Sequence, residues 1–137
     1  MTTINKSIHV KAPKAAVWGF LTEIDKVKTW FHRYDTDLSE GQDYKIFGQD
    51  SGNELGHGTV TRAEPHDVLE YSFAIGPMQG ASSTVKWTLE DAPGGTKLTL
   101  EHSGLSDDVE GFGLVLALDK GWDEHLGKLR DNASDKA

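Results

Sequence analysis

Bulky apolar residues are concentrated near the two ends of this chain, and they must meet in space to be buried. Val17-Trp18 and Trp30-Phe31 lie near the start, whereas Phe112, Leu116 and Trp122 lie in a hydrophobic stretch near the end. The residues between them show mainly the alternation and turn chemistry of strands. A long terminal helix clasped by a curved sheet would join the two ends. The pattern therefore predicts an apolar cavity between that helix and the sheet.

Length and composition indicate a single domain over residues 1–137. The chain has 137 residues, of which 36% are hydrophobic and 26% charged, which suffices for one core without metal or disulfide support. It has no cysteine, so a disulfide framework, a thiol nucleophile and a cysteine zinc site are excluded. The N-terminus lacks signal-peptide character, and no run approaches the roughly 18 apolar residues that span a bilayer. We expect a cytoplasmic protein without a membrane span.

The charge balance argues against nucleic acid as a partner. The formal net charge is −8, and a surface of this sign repels phosphate backbones as well as anionic membranes. We therefore expect no nucleic-acid partner.

Periodicity predicts a strand, two helices, about six further strands and a long helix. Alternation indicates a strand over Thr3–Lys11, and three- and four-residue spacing indicates a helix over Lys14–Thr22, followed by a short helical piece over Asp25–Thr29. The later predicted elements are a weakly extended segment at Tyr34–Leu38, strands at Tyr44–Phe47, Gly58–Glu64, Val68–Phe73, Ser83–Glu90 and Thr96–His102, and a helix from about Asp108 to Arg130.

Turn residues separate these strands. Gly48–Asn53 is predicted to be a loop, Pro65-His66-Asp67 a tight turn, and Asp91–Gly95 the connection between the two longest strands. Short hairpins between antiparallel neighbours produce a twisted sheet. The fold class predicted is α+β of the helix-grip type: a curved antiparallel sheet of about six or seven strands around a long C-terminal helix, with two short helices after the first strand.

Several motifs resemble those of a known family. Residues 8–13 (Ile-His-Val-Lys-Ala-Pro), followed by Val17-Trp18, Leu21-Thr22 and Trp30-Phe31, resemble the opening of the START-like (SRPBCC, birch-pollen-allergen-type) superfamily. Gly56–Val60 with Glu64-Pro65, residues 94–104, and Gly121-Trp122 with Leu126 and Leu129 are similar to the branch named for homology to the heat-shock-protein-90 ATPase activator. The resemblance implies the helix-grip fold, and its members include ligand carriers, cyclases and regulatory proteins.

One position departs from the family's usual pattern. Where the family often has a Gly-Gly pair in the turn before the third strand, this chain has Glu40-Gly41. A single glycine can still form the turn, so the fold expectation is unchanged.

The leading functional hypothesis is a binding module for a small apolar or amphipathic molecule. Aromatic and aliphatic side chains are typical of such pockets, although ordinary core packing is the alternative reading. The candidate ligand-binding residues are Trp30, Phe31, Phe47, Tyr71, Phe73, Trp87, His102, Phe112, Val115, Leu116, Asp119 and Trp122.

No catalytic motif, cofactor or metal site is predicted. The six histidines form no i, i+4 pair, and Ser103 beside His102 lacks a nucleophile elbow. Two alternatives stay open. One is a polyketide-cyclase- or dehydratase-like enzyme that uses His102, Asp119 and Arg33 as acid/base groups. The other is a chaperone-associated or stress-response interaction protein, and an edge strand could also mediate a homodimer.

Overall fold

A computed structural model describes residues 2–31, 33–47, 54–75, 83–105 and 109–133. Its elements, in chain order, are β1 (Thr2–Val10), α1 (Lys14–Thr22), α2 (Ile24–Val27), β2 (Arg33–Tyr34), β3 (Asp43–Phe47), β4 (Glu54–Glu64), β5 (Val68–Ile75), β6 (Ser83–Ala92), β7 (Gly95–Leu105) and α3 (Val109–Ala133). None of the helices in these ranges is long and apolar enough to cross a bilayer.

The seven strands form one curved antiparallel sheet in the order β1-β7-β6-β5-β4-β3-β2. Every strand from β2 to β7 pairs with its neighbour in sequence, and only β1 makes a distant pairing, with β7. The two short helices follow β1, and α3 packs against the sheet. The predicted α+β helix-grip fold is therefore confirmed.

Side-chain alternation assigns one face of the sheet to the core. In β6, Val85 and Trp87 are buried at every second position, and in β7 the same holds for Leu98, Leu100 and His102. Cross-strand register places Val85 opposite His102 and Trp87 opposite Leu100. Because successive side chains of a strand point to opposite faces, these residues all face inward, toward α3.

The turns use the residues that the sequence indicated. Gly41 has a φ of 82°, and Gly94 has a φ of 78°, so both adopt the left-handed conformation that glycine tolerates without steric cost. The single glycine of Glu40-Gly41 therefore suffices for its turn. The connection between β6 and β7 is shorter than predicted, because pairing continues to Ala92 and Gly95 and leaves only Pro93-Gly94 between the strands.

The segment after α2 differs from the prediction. Only Arg33–Tyr34 pairs as a strand, whereas an extended segment was predicted as far as Leu38. The carboxylate of Asp35 accepts a hydrogen bond from the backbone N–H of Lys45, and that of Asp37 accepts one from Ile24. Aspartate side chains that bond the backbone in this way favour a loop over a continued ladder. The predicted loop at Gly48–Asn53 lies outside the described residues.

Candidate ligand-binding site

Trp122, near the middle of α3, lies at the centre of a buried aromatic cluster. Its ring is stacked on Phe31 with centroids 5.6 Å apart, meets Trp87 edge-to-face at 5.7 Å, and lies 6.4 Å from Phe73. Trp30 meets Trp87 edge-to-face at 5.8 Å. The early aromatic pair and the late helix therefore pack against each other across the concave face of the sheet. We call Trp30, Phe31, Phe73, Trp87, His102 and Trp122 the aromatic cluster.

A chain of hydrogen bonds crosses this cluster and fixes the protonation of His102. The indole N–H of Trp122 donates to Nδ1 of His102 at 3.0 Å. Nδ1 is therefore the acceptor, so the ring proton is on Nε2, which lies 2.7 Å from the hydroxyl of Ser83. The hydroxyl in turn donates to the backbone carbonyl of Phe73 at 3.0 Å. Each donor in the chain thus has one acceptor.

Burial governs the charge of His102. Its side chain has no solvent exposure, and desolvation lowers the pKa of the imidazole to about 4. The ring is therefore neutral at physiological pH, and both of its nitrogens are already engaged. Among the described residues, no buried polar side-chain atom lacks a hydrogen-bond partner. Such a network orients the rings and is not arranged to accept a proton from a substrate.

A second polar link joins the cluster to a row of tyrosines. The indole N–H of Trp87 donates to the hydroxyl of Tyr71 at 3.0 Å, and Tyr44 packs edge-to-face on Tyr71 at 5.4 Å. Burial raises the pKa of Tyr71 to about 12, against the smaller opposing effect of hydrogen bonds from Trp87 and Tyr34. The phenols of this row are therefore neutral hydrogen-bonding groups at physiological pH.

The remaining sequence-predicted site residues are Phe47, Leu116, Asp119, Phe112 and Val115. Phe47 is half-buried at the end of β3, and Leu116 on α3 is 55% exposed. Asp119 forms an ion pair with Lys6 at 2.8 Å, on the side of α3 that faces β1. The side chains of Phe112 and Val115 lie outside the described residues.

The three residues considered for acid/base catalysis make no contact with one another among the described contacts. His102 is bonded to Trp122 and Ser83, Asp119 is paired with Lys6, and Arg33 is exposed on β2. In the described ranges, no group of three or more His, Asp or Glu side chains is arranged to hold a metal ion.

Several residues that complete the site were not among the predicted ligand-binding residues. Ser83 begins β6 and bonds His102, and His125 donates from Nδ1 to the backbone carbonyl of Trp30 at 2.9 Å. Lys6 bridges Asp119 and Asp123. The spacing of His125 from Trp122 on the helix was the one available signal, because it places the two side chains on neighbouring turns of α3.

Comparison with known proteins identifies relatives of the whole fold. A sequence model of the family described as Activator of Hsp90 ATPase homolog 1-like protein matches residues 11–133. No curated protein matches the chain significantly.

Solved structures of other proteins share the fold of this chain. MLL2253 from Mesorhizobium loti is 24% identical with a TM-score of 0.85, and the match covers 96% of each chain. The Aha1 dimer from Colwellia psychrerythraea is 21% identical with a TM-score of 0.82, over 98% of this chain and 97% of that one. CalU16 from Micromonospora echinospora is 25% identical with a TM-score of 0.79, over 98% and 77%. The first two likenesses establish the shared fold.

Proposed function

The chain belongs to the Activator of Hsp90 ATPase homolog 1-like family, and we propose that it binds a small apolar or amphipathic molecule between its sheet and α3. The observation that carries the proposal is the convergence of three of the four tryptophans, with Phe31 and Phe73, where α3 crosses the concave face. Sites for small molecules are concave and mostly apolar, with a few fixed polar groups.

We place the ligand beside the first half of α3. The described cluster is closed around Trp122, but toward the helix N-terminus Leu118 is only partly buried and Leu116 is largely exposed. An exposed aliphatic side chain on a helix that covers a core can contact an apolar ligand bound beside it. In this proposal the aromatic cluster is the inner wall, and Leu116 contributes to the outer part.

The hydrogen-bonded chain gives the inner wall a defined shape. Trp122 is held by His102, and His102 is held by Ser83, so the rings behind the proposed site are fixed in orientation before binding. Fixing side chains in advance reduces the conformational entropy that binding would otherwise cost. The apolar character and neutral polar groups favour an uncharged or weakly polar molecule at this wall.

Titration with N-phenyl-1-naphthylamine, an uncharged apolar probe, tests the proposal. Energy transfer from the cluster tryptophans should saturate at one probe per chain. Leu116→Gln should weaken binding about fivefold by removing apolar contact. Lys120→Gln, at another exposed position of the same helix, is the control and should leave binding unchanged. Absence of saturable transfer, or equal affinity in both variants, would contradict the proposal.

Chaperone association is the second candidate, because the family description names an activator of the Hsp90 ATPase. That function predicts a contiguous exposed apolar patch. Among the described residues, Leu116 is the one large hydrophobic side chain that is mostly exposed. Co-purification with the cytosolic chaperone pool, abolished by Leu116→Gln without loss of probe binding, would favour this candidate.

Self-association is a related proposal. The Colwellia relative of the same fold was solved as a dimer. In the sheet, β1 and β2 are the two outer strands, and outer strands can pair between chains. Sedimentation velocity over a range of protein concentrations would show whether this chain also forms a dimer.

A further inference from the structure

A second concave site lies on the outer face of the sheet, away from the aromatic cluster. It is a groove of about 520 Å³ across β3, β4 and β5. Asp43 and Lys45 alternate with buried Tyr44 and Ile46, so they project from the opposite face of β3. The volume falls within the range of small-molecule sites. The groove is bordered by polar side chains of Asp35, Asp43, Lys45, His57, Thr59 and Ser72, and by Tyr44, Gly58 and Ala74.

The groove lies next to an irregularity between β4 and β5, where the register shifts between Val60 and Arg62. The backbone N–H of Thr59 donates to the side-chain hydroxyl of Ser72 at 2.9 Å, and Tyr44 donates its phenol to the carbonyl of Ser72 at 2.7 Å. A Cβ at Gly58 would meet that carbonyl oxygen at 1.9 Å. Register shifts and strand glycines occur preferentially where a backbone or a ligand approaches closely. The groove therefore combines a cavity with a close backbone approach at Gly58.

Two carboxylates are held in place within the groove. Asp35 accepts a hydrogen bond from the backbone N–H of Lys45 at 2.8 Å, and Asp43 accepts one from the hydroxyl of Thr59 at 2.6 Å. Each of these contacts uses one oxygen of the carboxylate. In the described part of the chain the second oxygen of each has no hydrogen-bond partner. Each aspartate is therefore held in one orientation and has a second carboxylate oxygen that can accept another hydrogen bond.

The positive charge beside them is already paired. The ammonium nitrogen of Lys45 lies 3.7 Å from a carboxylate oxygen of Glu54, which is a third carboxylate. The imidazole of His57 makes no hydrogen bond to any described residue. The whole chain has a net charge of −8. An anion would be repelled here, and an apolar molecule would desolvate two carboxylates without compensation.

We propose that this groove binds an organic cation, an alkyl ammonium or guanidinium group, between Asp35 and Asp43. A guanidinium offers donors in a planar fork that matches carboxylate oxygens. The inference does not depend on the proposed interior ligand site, because the two sites lie on opposite faces of the sheet.

Agmatine is the probe for this site, followed in ¹H–¹⁵N correlation spectra of the full chain. We expect saturable shifts confined to the amides around Lys45, His57 and Thr59, with no change at the indole N–H of Trp122. Asp43→Asn should weaken binding about fivefold, the upper range for one exposed ion pair. Asp25→Asn is the matched control, because Asp25 on α2 is exposed, pairs with Lys28 just after the helix, and its loss changes the net charge equally.

Two further measurements make the outcome decisive. Asp35→Asn repeats the test if Asp43→Asn gives a poorly dispersed spectrum. A blocked Gly-Arg-Gly peptide distinguishes the source of the group: binding of agmatine indicates a free small molecule, and binding of the peptide alone indicates an arginine of a partner protein. No saturation by either compound, or equal weakening by Asp43→Asn and Asp25→Asn, would overturn the proposal.

Discussion

The indole N–H of Trp122 donates a hydrogen bond to Nδ1 of His102 over 3.0 Å, and this contact joins α3 to β7 at the centre of the core. Because Nδ1 is the acceptor, one neutral tautomer of His102 is selected, and that tautomer can donate to Ser83. The position of the helix over the sheet and the protonation of the histidine are therefore coupled.

Removal of the Trp122 donor should destabilise the protein. Trp122→Phe keeps an aromatic ring but leaves Nδ1 of His102 buried without a partner, which costs about 1–3 kcal/mol in addition to the lost volume. Urea unfolding followed by far-UV circular dichroism measures the effect. Trp18→Phe is the control, because Trp18 is only half-buried and meets His66 outside the cluster. Equal losses in the two variants would contradict the role assigned to the hydrogen bond.

Stability should fall in acid because of His102. Its pKa is about 4 in the folded protein and about 6.5 in an unfolded chain, so between these values the unfolded chain binds more protons. The contribution is fully present above pH 6.5 and is lost as the pH falls toward 4, by roughly 3 kcal/mol. Unfolding free energies at several pH values measure this. His102→Gln carries no titrating ring, so its curve should be flatter between pH 6.5 and 4; identical curves would refute the assignment.

The two glycines Gly58 and Gly121 should respond to alanine in opposite ways. At Gly58 the new Cβ would lie 1.9 Å from the Ser72 carbonyl oxygen, so the β4–β5 pair must shift, and we expect a loss of several kcal/mol, about 3. At Gly121 in α3 nothing lies within 4 Å of the new Cβ, and the gain in helix propensity should be about 0.5–1 kcal/mol. Thermal unfolding of both variants measures the contrast, and a neutral Gly58→Ala would show that the sheet adapts.

Lys6 should make a small, salt-dependent contribution to the free energy of unfolding. Its ammonium lies 2.8 Å from Asp119 and 2.9 Å from Asp123. Desolvation is the largest single effect and lowers the pKa of Lys6, but hydrogen bonds and charge attraction from the two carboxylates together outweigh it and leave that pKa raised. Lys6→Met should cost about 0.5–1 kcal/mol at low salt, with a smaller difference at 1 M NaCl. Lys45→Met, at an exposed pair with Glu54, provides the comparison. A loss independent of salt would indicate packing of the side-chain stem as the cause.

Much of the fold could be read from the sequence, because its signals are local. The alternation in β6 and β7 and the helical spacing of Trp122, Leu126 and Leu129 each repeat within a few residues. One element that the local pattern did not predict correctly is β2. It ends after Tyr34 because the side chains of Asp35 and Asp37 accept hydrogen bonds from distant backbone groups. Such contacts follow from tertiary proximity and leave no periodic signal.

The sequence by itself determined the strand and helix order, the inward face of each element and the need for the chain ends to meet, because burial of apolar side chains enforces these patterns at short range. Only the tertiary structure decided which polar groups meet. Ser83, His102 and Trp122 come from β6, β7 and α3, and their chain of hydrogen bonds depends on strand register and on where the helix crosses the sheet. The outer groove likewise exists only because β3, β4 and β5 are adjacent in the sheet.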